Sequence, residues 1–482
     1  MMTDGAEFHK AEGVFAELQA VLGQAGQENW RIDQLERGLL ALLLKLGFEL
    51  LEIFIARVGD GDQGPTLERE GSTLQRLEKR SRRYVSVFGE HRFAQQVYAE
   101  REGQKIEEQP LARQLGLPAG EHSYVLVDWL ERLCVKESFA EAHSSLASLL
   151  GVRIPLATAE RLNLHLAQEA EQFRLGQPAP APESEAELVV YANDCKGVPM
   201  RRPLAERVRG QRRGKGEKAN QKKMACVGAA YSVARFVRSA EDILGEVLDK
   251  EQAAPRPEPQ NKRLWAEMTL ASEDEALTGK TRVFIQQALD LAARDPEKQK
   301  PVVCLTDGEK ALRREQQAWL PRAIGVLDIW HVTEYLWKAA YCFHAEGSAQ
   351  AREFVRERLR GLLTGKVGYV IGHLRRLRST AGLKAGPRKT LDSAITYFEN
   401  NRQYMQYDKY LAAGYPIGSG VAEGACRHVV KDRMEQSGMR WSLAGAQAML
   451  HLRAIHLNGD WDAYLEHHIE HEQAELYGQT AA

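Results

Sequence analysis

The sequence predicts an α/β core joined to a mostly helical amino-terminal region, and three observations carry that expectation. Two short apolar runs each end in a carboxylate: Leu188-Val189-Val190-Tyr191-Ala192-Asn193-Asp194 and Pro301-Val302-Val303-Cys304-Leu305-Thr306-Asp307-Gly308. A helical signal running from His331 to about Tyr410 interrupts the alternation of strands and helices. A leucine stripe, with Leu35, Leu39, Leu42, Leu46, Leu50 and Ile53 at intervals of three and four, marks an amphipathic helix near the start.

The amino-terminal region (1–80) is expected to be helical, with the leucine stripe serving as a core seam or as a self-association face. After the turn-rich Gly59-Asp60-Gly61-Asp62-Gln63-Gly64-Pro65, the segments 82–89 and 92–98 read as two short strands around a turn. Helical spacing at Phe139, Ala142, His143, Leu146, Leu149 and Leu150 precedes the turn 151–155, and Ala159, Leu162 and Leu166 continue it beyond. Two such helices form either a DNA-reading helix-turn-helix or an ordinary helical hairpin, so 81–176 is expected to be a small β element plus a DNA-binding unit. The Pro-, Ala- and Glu-rich stretch 177–186 reads as a linker. Beyond it, 188–193, 224–233 and 234–237 are expected to form an antiparallel meander. A Pro-rich loop (Pro255, Pro257, Pro259), a helix over about 273–293, strand 302–306 and strand 323–329 follow. The core is therefore assigned to 187–338 and 416–460, with a helical insertion at 339–415, a final helix at 442–457 and a tail at 461–482.

At 482 residues and 44% hydrophobic content, the chain is long enough for several domains and a sizeable core. Its 65 basic and 66 acidic residues nearly cancel, so any nucleic-acid surface must come from local clusters. Residues 201–223 hold ten Lys/Arg against two acids, among them Arg212, Arg213 and Lys215. Residues 352–389 hold eleven against two, among them Arg375 and Arg376. The six cysteines are scattered singly, and no secretory signal opens the chain, which points to a reducing cytoplasm. The most apolar stretch, 39–58, carries Lys45, Glu49, Glu52 and Arg57 and is excluded as a membrane span.

Moving a phosphoryl group needs an activated oxygen nucleophile and neutralisation of charge on phosphorus, which two divalent ions about 4 Å apart supply. Magnesium favours carboxylate oxygens, and strand ends hold them rigidly. Asp194, Asp307 and Glu423, the last within Gly418-Ser419-Gly420-Val421-Ala422-Glu423-Gly424, form such a set. Taken singly, each has another reading: a turn former or helix cap for the aspartates, and an ion pair with Arg427 for Glu423. Asp328-Ile329-Trp330-His331 places an Asp and a His three apart at a strand-to-helix junction, facing the same cleft or capping the helix. Arg440-Trp441 suits stacking on an unpaired base or anchoring a core. The run Gly210-Gln211-Arg212-Arg213-Gly214-Lys215-Gly216 is one residue short of a phosphate loop and has Gly where Ser/Thr would hold magnesium, so ATP binding is excluded.

In order along the chain, Asp194 with Lys196-Gly197-Val198-Pro199-Met200, Leu305-Thr306-Asp307-Gly308, Asp328-Ile329-Trp330-His331, Tyr415-Pro416-Ile417-Gly418-Ser419-Gly420 before Glu423, and Met439-Arg440-Trp441 resemble the DDE transposases of bacterial insertion sequences. The likeness is to the Kra-type group, distant relatives of the Mutator-like elements, and spans roughly residues 80–460. It implies an RNase H-like core, a mixed five-stranded sheet with flanking helices, with the helical insertion before the last acid. It further implies Asp194, Asp307 and Glu423 as ligands of Mg2+ (or Mn2+), with Asp328 and His331 beside the cleft. The activity implied is strand cleavage and transfer at terminal inverted repeats of double-stranded DNA, by a homo-oligomer at the bacterial nucleoid. DNA contacts are expected from Arg212, Arg213, Lys215, Arg375, Arg376, Arg427, Arg440 and Trp441. Two departures stand out: Cys195 follows the first Asp where relatives have Gly, and no CxxC pair follows residue 98, so no zinc is expected. A host nuclease or resolvase on the same core, or a non-catalytic transposon-derived DNA-binding protein, are the alternatives.

Overall fold

The computed structural model of the protein describes residues 7–69, 71–201, 222–249, 255–270 and 277–478. The chain divides into two units, 1–166 with 462–482, and 167–461. The division falls ahead of the expected linker at 177–186, and the stretch expected to be a tail belongs to the first unit.

In the first unit, helices α1 (His9–Gln27) and α2 (Ile32–Val58) pack on each other, joined by ion pairs Lys45–Glu17 at 2.8 Å and Arg57–Glu7 at 3.1 Å. Strands β1 (Thr66–Arg69), β2 (Ser72–Arg76) and β5 (Tyr98–Ala99) make an antiparallel sheet, and β3 (Arg80–Ser86) pairs with β4 (Gly89–Gln95) as the expected hairpin. After a short helical turn, Pro110–Gln114, come helices α3 (Tyr124–Cys134), α4 (Phe139–Leu150) and α5 (Leu156–Leu166). Ser138 and Glu141 cap α4 reciprocally, and Gly151 ends it in the left-handed conformation at φ 70°, where a side chain would be strained. Leu126, Leu130, Ala142, Leu146, Ile154 and Ala159 are buried between these helices.

The second unit begins with a short helix, α6 (Ala170–Leu175), and is built on a mixed five-stranded sheet. Its strands are β6 (Leu188–Pro199), β7 (Lys222–Val233), β8 (Gln260–Met268), β9 (Val302–Thr306) and β10 (Ile324–Leu327), ordered β10-β9-β6-β7-β8. The first three are antiparallel to their neighbours in sequence, and β9 and β10 run parallel to β6. The third strand differs from expectation: 234–237 is not a strand, and β8 takes the edge. Polar side chains, Gln260, Asn261, Lys262, Arg263 and Glu267, broke the apolar run by which strands are recognised.

The two faces of the sheet are covered differently. Val189 and Tyr191 of β6, with Val302 and Cys304 of β9, pack on Val283, Phe284 and Leu291 of α7 (Gly279–Arg294). Gly228 lets α7 approach, since a Cβ there would meet Val283 Cγ1 at 2.5 Å. The alternate residues, Leu188, Val190, Ala192, Val303 and Leu305, join a larger core. That core includes α9 (Ile329–Ala340), α10 (Ala349–Leu363), α11 (Val367–Thr380), α12 (Ala385–Asn400) and α13 (Tyr407–Ala412), of which α10 to α13 lie within the expected helical insertion; α8 (Lys310–Trp319) connects β9 to β10. After it, α14 (Gly420–Ala425) widens into a π-helical stretch, Cys426–Lys431, and α15 (Leu443–Asn458) closes the unit. Among the described residues, no helix is long and apolar enough to cross a membrane.

Candidate active site

The register of the sheet places the acids. Asn193 of β6 pairs with Thr306 of β9, and Thr306 pairs with Leu327 of β10. One residue further on, Asp194, Asp307 and Asp328 therefore stand in a row across three adjacent parallel strands, which lie about 4.8 Å apart; β9 and β10 end there, while β6 runs on to Pro199 against β7 alone. Side chains alternate along a strand, so Asp194 and Asp307 continue the face of Ala192 and Leu305 toward the helical insertion. Asn193 points the other way, where its amide exchanges hydrogen bonds with Gln287 of α7 at 2.8 and 3.1 Å. Glu423 comes from α14, which packs across β6 and β7.

Each acid is held by its own backbone surroundings. Asp307 Oδ1 accepts from the Glu309 amide at 2.8 Å, while its carbonyl accepts from the Tyr397 hydroxyl at 2.8 Å. The turn after it requires Gly308, at φ +88° and with Leu327 Cδ1 2.7 Å from where a Cβ would be. Asp194 Oδ1 accepts from the Cys195 amide at 2.7 Å. Asp328 is fully buried, caps α9 by accepting from Trp330 N at 2.8 Å, and accepts a hydrogen bond from Ser419 Oγ. His331 Nδ1 lies 3.6 Å from Asp328 Oδ2, too long for a hydrogen bond and close enough for a charge pair.

The electrostatics show that these groups share one neighbourhood. Burial first, and then the charge of Asp194, raises the Asp307 carboxyl above its usual range, with the Glu309 amide and His331 opposing. Burial also raises Glu423, with the charges of Asp328 and Asp194 adding to it and His331 opposing. Asp328 above all pushes the His331 imidazole up to about 9, aided by Asp307 and Asp194. Carboxylates that disfavour their own ionisation together form a site that a cation would relieve. Their oxygens are the donors hard divalent ions prefer. Asp194, Asp307 and Glu423 do not close to the 4.8 Å mutual spacing of a single-ion triad. A pair of ions about 4 Å apart does not require such closure.

The Arg427 alternative for Glu423 is not realised: Arg427 is 71% exposed and turns to Asp432 at 3.7 Å. Cys195 lies opposite Cys226 on β7 and packs toward the α7 face, away from Asp194. Trp441 is corrected as a stacking candidate. It is 6% exposed, donates from Nε1 to Met434 O at 3.1 Å and lies under Arg433 at 4.9 Å, so its face is unavailable to a base. Arg375 is exposed and pairs with Glu399 at 2.6 Å, and Arg376 and Arg440 are exposed. Arg212, Arg213 and Lys215 lie outside the described residues. Sequence reasoning missed Tyr397 and Ser419 as supports. Ser419 sits in the quoted Gly-Ser-Gly turn, while Tyr397 lies deep in the helical insertion with no local signal. It also missed a cavity of about 410 Å³ beside Glu423, lined by Tyr231, Phe236, Arg238, Trp330 and Val421 among others.

Compared with known proteins, the chain matches no family model and no curated protein.

Proposed function

We propose that the protein is a DDE-type transposase of an insertion sequence, cleaving DNA at the element's ends and joining those ends to target DNA. The observation that carries this reading is the row of Asp194 and Asp307 on adjacent parallel strands, faced by Glu423 from a helix. Strand order β8-β7-β6-β9-β10, with three antiparallel strands followed by two parallel ones, fits an RNase H-like core. The helical insertion falls between the second and third acids, as the resemblance implies.

Asp194, Asp307 and Glu423 would hold magnesium or manganese, whose part is to activate the attacking oxygen and neutralise charge on the phosphorus. The protein's own groups do the rest. The Glu309 amide and the Gly308 turn fix the orientation of Asp307. Ser419 and the α9 amino terminus hold Asp328 in place, and Asp328 keeps His331 positively charged beside the cleft, where it offsets the negative charge of an incoming phosphodiester. Exposed Arg376, Arg427 and Arg440 supply sequence-independent attraction to the backbone. The helices α4 and α5 around Gly151 are offered as the end-binding motif. Function as an oligomer is supported by apolar side chains left open on α1 and α2: Phe15, Leu22, Leu40, Leu43, Leu50 and Phe54.

The test uses Asp307→Asn with labelled DNA carrying the element's ends. Loss of both cleavage and strand transfer with end binding retained is expected, and residual transfer would overturn the assignment. In the parent protein, cleavage without joining of the labelled 3′-end to a plasmid would instead identify a nuclease or resolvase.

A further inference from the structure

A second group of metal-binding side chains lies in the first unit, apart from the strand-end acids. His468 and Glu472 are four residues apart on the C-terminal helix, Trp461–Tyr477, so they project one turn apart from the same face. His165, near the end of α5, meets them. One donor atom from each residue comes within 4.8 Å of the other two, which no other described trio of His, Cys, Asp or Glu achieves. His468 is 3% and Glu472 5% exposed, whereas the His165 side chain is 43% open to solvent, so the group is a buried pocket with one accessible wall.

The carboxylate is also oriented from behind. Tyr124 donates its hydroxyl to Glu472 Oε2, and Gln473 Nε2 donates to that hydroxyl at 2.8 Å. This leaves Oε1 on the His165 side, 2.9 Å from His165 Nε2. A carboxylate fixed by an outer hydroxyl, with two imidazoles in front of it, is the support that metal-ligating side chains usually receive.

We propose that His165, His468 and Glu472 bind a zinc ion that fastens the C-terminal helix to α5 within this unit. Two imidazoles and one carboxylate form a three-ligand zinc set, with a fourth position left for water on the open side of His165. Nitrogen-rich donors favour zinc over magnesium, which keeps this site chemically distinct from the all-carboxylate strand-end group. Ligand atoms about 2.0–2.1 Å from zinc stand about 3.3 Å apart in tetrahedral geometry, so the His165–Glu472 contact needs to open by only a few tenths of an ångström. The expectation of no zinc rested on the missing cysteine pair near residue 98, and histidine and glutamate contributed from segments 307 residues apart escape that criterion.

The experiment measures zinc bound to the purified full-length protein after exhaustive dialysis, and the visible spectrum after Co2+ replacement. One zinc per chain and the strong absorption of tetrahedral cobalt are expected. His165→Ala and His468→Ala should each lose that zinc, and Asp307→Asn should keep it. Tyr124→Phe, which retains the ring and its packing, should weaken zinc binding roughly 10- to 100-fold. A parent protein without zinc, an octahedral cobalt spectrum, or zinc content unchanged in both histidine variants would each overturn the proposal. No DNA assay enters, so its failure would leave the transposase reading standing.

Discussion

Asp194 and Cys195 are neighbours in the chain yet serve opposite faces of one strand. The departure from the DDE pattern, Cys195 in place of Gly, is thereby separated from the cleft by the sheet itself. Cys195→Ala should leave the cleavage rate essentially unchanged while Asp194→Ala abolishes it, and a loss as deep in the cysteine variant would show that the strand does not run as described. Gly308 is a stricter position: Gly308→Ala forces a left-handed backbone and a contact with Leu327, and should cost about 1–3 kcal/mol in denaturant unfolding. The three acids were legible because each ends or interrupts an apolar pattern. The status of Trp441 was not, since an Arg-Trp pair reads alike whether the indole is buried under Arg433 or offered to a base.

Among elements, β8 was the hardest to find and is held in an unusual way. Its Glu267 is 1% exposed, with Arg174 of α6 at 2.8 Å, Gln286 of α7 at 3.0 Å, and Gln447 and His451 of α15 at 2.9 and 3.1 Å. Burial alone would raise this carboxyl, but His451 first, then Arg174 and Gln286, hold it below its ordinary value. A charge so paired contributes fully above pH 4.5, the ordinary glutamate value, and its contribution is lost as the pH falls from there toward the lower folded-state value. Glu267→Gln should therefore lower the melting temperature at neutral pH and flatten its decline in acid; an unchanged acid slope would refute this. Arg174→Ala strands the buried carboxylate and should cost about 3–5 kcal/mol. Periodicity could find α2, α4 and α15 because apolar side chains recur along them at helical spacing. It failed at β8 because a strand pinned by a buried ionic network resembles a polar loop.

At the scale of the whole molecule, the core of the second unit was legible as an ordered series of strands and helices, with the long helical insertion announced by its own composition. The return of residues 462–478 to the amino-terminal unit was not, because nothing local in a sequence records which distant segment a helix will join. The open apolar face of α1 and α2 leads to a further expectation. Leu43→Glu combined with Phe54→Glu should shift sedimentation toward a monomer and depress strand transfer more than end binding, and an unaltered oligomer would remove that face from consideration. The wide π turn at Cys426–Lys431 immediately follows the helix that carries Glu423. Deleting one residue there would let ordinary winding resume and rotate everything downstream by about 100°, the angle one residue subtends on an α-helix. Such a shortened protein would keep all three acids in its sequence and lose the seating of Trp441 against Pro199, so the length of one loose coil, as much as any side chain, sets how the chain beyond the last acid returns to the sheet.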